Sequence, residues 1–175
     1  MTPDLSALQG RNLARFKGID PLEKNWAWGL ALIVLTIAIH GLGVALMALA
    51  EMSFRLRIER RHHLRLPHVL AIATGLIGVA GLLLAALHGM EAALWAAAYS
   101  WLGALNSPAD AILYSVDTIA TRGASGVTLE RPWGMMGALE AVDGMLLFGI
   151  STAYIFAVMQ GYWPLITRRL RHAPT

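Results

Sequence analysis

Few ionisable side chains in this sequence are placed to do chemistry, and those few stand inside apolar runs. Glu140 and Asp143 interrupt a long hydrophobic stretch and are three residues apart, so a helix carries both on one face. An ionisable group within a membrane span faces a bundle interior or a watery cavity and defaults to a functional reading. The competing reading for each is a hydrogen bond to a neighbouring helix. His40 and His88 lie in two further apolar runs, a pairing that by type would suit bis-histidine ligation of a b-type haem. His40 falls near the middle of its run and His88 near a boundary, so their depths are expected to disagree. His88 and Glu91 share a helix face and offer two ligands to a metal, with no third in reach, so no metal site is expected. The chain has no cysteine, which excludes disulfides, thiolate zinc sites and cysteine nucleophiles. It has no glycine-flanked serine elbow and no His-Glu-x-x-His pair. Neither an enzyme nor a cofactor is expected.

The elements that hold these groups must cross a membrane. Of 175 residues, 57% are hydrophobic and only 14% are charged, with a mean hydropathy of +0.55. A soluble domain carries about 25% charged residues. Residues 1–25 are polar and of mixed charge, with no apolar core that would mark a cleaved signal peptide. Residues 26–50 carry no charge and, at about 1.5 Å per residue, are long enough to span a bilayer. Residues 51–67 form a basic loop with Arg55, Arg57, Arg60, Arg61 and Arg65. A patch for RNA or lipid competes with a topology signal here. Short basic loops between spans mark the cytoplasmic side, so the topology reading is preferred and no nucleic-acid partner is expected. His62 and His63 belong to the same solvated face.

Residues 68–105 are longer than a bilayer is thick, so 69–87 is expected to span and 91–105 to project or turn. Ala85, Gly89, Ala93 and Ala97 make a small-residue stripe that permits close helix approach. Ser107 and Pro108 then suit the cap and first residue of a short helix over 108–120. A loop of small residues follows at 121–126, and a last apolar run at 133–163 ends near Pro164. The basic tail 164–175 contains Arg168, Arg169 and Arg171. Three crossings put the loop and the C-terminus in the cytoplasm and the N-terminus outside, in a multi-pass protein of the cell inner membrane. A half-length helix with a small-residue loop fits a re-entrant segment, and it equally fits an ordinary loop outside the membrane.

The run Tyr114, Ser115, Thr118, Thr121 and Gly123 resembles the pore helix and filter entry of the potassium-channel-like pore-loop superfamily. Residues 88–99 look like the outer helix of bacterial members, and Trp133 with 137–149 like their inner helix. The resemblance covers roughly residues 68–160. It implies an all-α, homotetrameric pore-loop channel with three transmembrane helices, a re-entrant pore helix and a filter loop. The implied partners are permeant inorganic ions, the lipid bilayer and further copies of the chain. In that frame Thr121, Arg122, Gly123, Ala124, Ser125 and Gly126 form the filter, with Asp117, Thr118 and Trp133 in support. Asp143, with Gly144 and Glu140, falls at the cavity and gate, where four Asp143 carboxylates would concentrate cations.

The sequence departs from the family at the filter. Arg122 replaces valine, Ala124 replaces the bracing tyrosine and Ser125 replaces a glycine, where left-handed backbone would cost about 1–2 kcal/mol. Asp117 and Arg122 are expected to form a buried pair behind the loop. The expectation is a weakly selective cation channel. The alternatives are anion passage through an Arg122 ring, a non-conducting pore-loop scaffold, and, remotely, the haem protein.

Overall fold

In the computed structural model, residues 21–59, 66–123, 125–129 and 133–171 are described; most are helical, joined by turns and loops, with no strand among them. Helix α1 is Pro21–Glu59, α2 is Leu66–Trp101, α3 is Pro108–Ile119 and α4 is Gly134–Arg171. Three of these, over Asn25–Ile58, Pro67–Trp101 and Gly134–Arg168, are long and apolar enough to cross a membrane. The chain is therefore an all-helical protein built to pass a bilayer several times.

Each boundary has a local cause. Past residue 50, α1 runs on to Glu59, because neither glycine nor proline interrupts the polar turns that follow the apolar run. Helix α2 neither turns at Glu91 nor reaches residue 105. It stays helical to Trp101 and stops at Gly103, whose φ of +68° supplies the left-handed residue of a Schellman turn. The Ala104 N–H donates to the Tyr99 carbonyl at 2.9 Å and the Gly103 N–H to the Ser100 carbonyl at 3.3 Å, closing that turn. Ser107 caps α3, accepting from the Asp110 N–H at 3.3 Å, with Pro108 in the first turn where a missing N–H costs nothing. Helix α4 does not end near Pro164 but passes through it to Arg171. Spanning helices tolerate such a proline because neighbouring groups compensate for the lost bond.

Two apolar clusters hold the helices together, one at each end of the bundle. Trp95, Tyr99, Ala111, Ile119, Met136 and Leu139 pack at the end near α3. Ile58, Ala80, Leu84, Tyr154, Val158 and Tyr162 pack toward the basic end, where Arg55 donates to the Gly161 carbonyl at 3.3 Å. Helix α3 turns back between α2 and α4 instead of leaving the bundle. Its Ser115 hydroxyl donates to the Ala92 carbonyl at 2.7 Å, and its last carbonyl, at Ile119, lies against Gly144. Gly144 is ten residues into α4, so α3 reaches back about 15 Å along that helix. Only a residue without a Cβ fits there, since a Cβ at 144 would meet the Ile119 backbone. Ala85, Gly89, Ala93 and Ala97 are all exposed, and Ala85 and Gly89 border a groove with the end of α3 and Phe148 of α4.

Candidate functional site

From the first apolar cluster toward the second runs a set of buried polar side chains drawn from every helix, with the partly buried His88 among them. Helix α1 contributes Thr36 and His40, spaced four apart, and α2 contributes His88, Glu91 and Trp95 along one stripe. Helix α4 contributes Glu140, Asp143 and Ser151, and α3 contributes Ser115. The helical repeat sets these spacings, and the polar stripes meet along about three turns of the bundle interior.

Asp143 is fully buried inside its own chain. Thr36 donates to Asp143 Oδ2 at 2.7 Å and the Trp95 indole N–H donates to the same oxygen at 2.9 Å. Within the chain, α1 and α2 therefore cover the carboxylate that the sequence resemblance would set at a cavity between copies. Glu140 is buried likewise. The Tyr99 hydroxyl donates to its Oε2 at 2.6 Å, and Ser115 donates to its Oε1. The Glu140 carboxylate therefore fastens α4 to both α2 and α3. Gly144 is a packing residue at the α3 terminus, while nothing lies within 4 Å of a Cβ placed at Gly149.

His40 and His88 are adjacent, with ring centroids 5.1 Å apart. The expectation of unequal depths fails because α2 is one continuous helix and His88 lies well inside it. Glu91 Oε1 is 2.8 Å from His40 Nδ1, and Glu91 Oε2 is 3.3 Å from His88 Nδ1. Ser151 Oγ lies 3.0 Å from His40 Nε2 and 3.1 Å from His88 Nε2. A serine hydroxyl thus sits where iron between two histidines would stand, so the haem arrangement does not fit. His40 is also the third ligand that the pair His88 and Glu91 lacked in sequence.

After α3 the chain forms a short loop with left-handed backbone at Thr121 (φ +55°), Gly123 (φ +63°) and Gly126 (φ +72°). Ser125 is not left-handed, so the strain expected there falls on Thr121, a β-branched residue for which this region is unfavourable. Asp117 holds the loop from behind. One carboxylate oxygen takes the Arg122 Nε–H and the other takes the Ser125 backbone N–H at 2.8 Å. The Asp117 side chain is buried while that of Arg122 is 65% exposed, so the pair is buried on its acidic side only. Tyr114, Asp117, Thr118, Thr121 and Gly123 line a cavity of about 580 Å³ beside the loop, closed on the α4 side by Gly134 and Ala141. Trp133 is half-buried against the cluster at this end. Ala124 and residues 60–65, with the loop arginines Arg60, Arg61 and Arg65, lie outside the described residues. So do residues 1–20 and 172–175.

Comparison with protein-family models, curated proteins and solved structures finds no match to this chain.

Proposed function

We propose that this protein is the pore-forming subunit of a membrane ion channel, in which the loop 121–126 sets permeability. The observation that carries the reading is the return of α3. This capped, half-length helix reaches about 15 Å back along the spanning helix α4 before the chain reverses in a loop rich in left-handed residues. Non-helical backbone at membrane depth persists where protein buries it or where it lines water. Here Asp117 ties the loop from behind through Arg122 and Ser125, which leaves its backbone carbonyls available to a permeant ion. Several copies of the chain would surround that path, and the outward stripe Ala85, Gly89, Ala93 and Ala97 suits close contact between copies. Four copies complete the arrangement that the sequence resemblance implies, in the cell inner membrane with the basic loop and tail in the cytoplasm.

The expected current is carried by cations with weak selectivity, because the Asp117 carboxylate balances the Arg122 charge at the loop. Anion passage is the second reading, favoured by the 65% exposure of the Arg122 side chain. A reversal potential measured on purified protein in a planar bilayer under a potassium chloride gradient separates them. A value near the potassium equilibrium potential supports cation flow, and one near the chloride potential supports the arginine ring. A protein that is inserted and tetrameric yet passes no current would overturn the channel reading.

A further inference from the structure

We propose that His40, His88 and Glu91 form a buried binding site for one divalent transition-metal ion of the zinc class per chain. Each residue offers a ligand atom, and these atoms all lie within 4.8 Å of one another. Two imidazoles and one carboxylate make a donor set that zinc accepts with a fourth position left open. Zinc with bonds of about 2.0–2.1 Å in tetrahedral geometry holds its ligand atoms roughly 3.3 Å apart. His88 Nδ1 and Glu91 Oε2 already stand at 3.3 Å, and His40 Nδ1 and Glu91 Oε1 at 2.8 Å. Those two distances run to different Glu91 oxygens, and one ligand atom from each residue lies within 4.8 Å of the others, so the side chains draw in by up to about 1.5 Å to close on an ion.

Two linked features point to a ligand. The first is the set of unmatched atoms: Glu91 Oε2 and His88 Nδ1 are buried and have no hydrogen-bond partner among the described residues. Glu91 itself is fully buried. A carboxylate in that position calls for a cation to offset its lost hydration. The second is the hydrogen count at Ser151. With His40 Nδ1–H donating to Glu91, His40 Nε2 accepts the Ser151 hydrogen and His88 Nε2–H donates to Ser151 Oγ, which leaves the His88 Nδ1 lone pair bare against Glu91 Oε2 at 3.3 Å. An ion bound at the Nδ1 side relieves this. Each Nε2 then carries a hydrogen, and Ser151 Oγ has two lone pairs to receive them. Ligating histidines ordinarily donate their second ring N–H to such a partner.

His88 also borders a groove of about 290 Å³ whose walls include Gly89, Ala120 and Phe148. Once bound, the ion joins α1 to α2 directly and to α4 through Ser151. This role is separate from conduction, and its readout is metal content.

The full chain, purified in detergent with a histidine-free tag, would be stripped with chelator and dialysed against zinc chloride. Metal content and thermal melting would then be measured, with magnesium chloride as the control. The expected result is one zinc per chain and a melting temperature raised by zinc but not by magnesium. Both effects should vanish in His40→Gln and Glu91→Gln and persist when His62 and His63 are changed to alanine. Ser151→Ala keeps all three ligands and should weaken zinc binding by about tenfold or more. Cobalt added to the unsubstituted protein should give the visible absorption of a four-coordinate site, which tests the idea even if the ligand variants do not fold. Zinc below about a tenth of an equivalent, a spectrum of six-coordinate cobalt, or binding lost with His62 and His63 would overturn the proposal.

Discussion

Asp117 has two tasks at once, since one carboxylate accepts from the Arg122 guanidinium and from a loop backbone amide. The two bonds differ in worth. A pair whose guanidinium is largely in water contributes little by Coulomb attraction, about 0–1 kcal/mol. A buried amide that loses its acceptor costs about 1–3 kcal/mol, and the Ser125 amide, being only partly buried, falls at the lower end of that range. Asp117→Ala should therefore lower stability by about 1–2 kcal/mol, read as a fall in melting temperature. Arg122→Leu on that background should restore little, because the amide is still without an acceptor. Asp117→Asn keeps a carbonyl for the amide and should fall less far, with part of the loss recovered by Arg122→Leu. Equal melting temperatures for the Ala and Asn variants would show that the amide contact is not what holds the loop. The pairing of Asp117 with Arg122 was legible from a spacing of five residues and opposite charges. The capture of Ser125 was not, because a backbone amide leaves no mark in sequence.

Among the elements, α3 and α4 meet at a point that admits no side chain. Gly144→Ala would drive a methyl group into the Ile119 backbone, and overpacking of this kind costs about 1–3 kcal/mol. Gly149→Ala, five residues on, meets nothing within 4 Å and should leave the melting temperature unchanged or slightly raised, since alanine favours helix over glycine. A matched fall in both variants would mean that helix α4 needs glycine for bending and not for contact. The two glycines are indistinguishable in sequence. The Ser107 cap and its following proline, by contrast, could be read directly, because a cap is decided by its own few residues. Helix ends were less legible: α1 outran its apolar stretch and α4 ran through Pro164, since a helix stops where its hydrogen bonds stop and not where its hydrophobicity does.

At the scale of the molecule, one set of buried polar side chains runs from one apolar cluster toward the other, and it changes the role of the acidic residues. Asp143 is covered by Thr36 and Trp95, so Asp143→Asn should leave the reversal potential where it was while Arg122→Gln shifts it. A loss of cation preference in Asp143→Asn would return the carboxylate to the ion path and contradict the burial described here. Composition and the uncharged run of 25 residues by themselves marked helices long and apolar enough to cross a membrane. Spacing alone placed Glu140 with Asp143 and His88 with Glu91 on common helix faces. Which faces look at one another was decided only by packing. His40 and Glu91 are 51 residues apart, and Thr36 and Asp143 are 107 apart. Their meeting depends on the relative height and rotation of whole helices, which no local pattern encodes. A carboxylate in an apolar run announces that it needs a partner, and tertiary structure supplies which one.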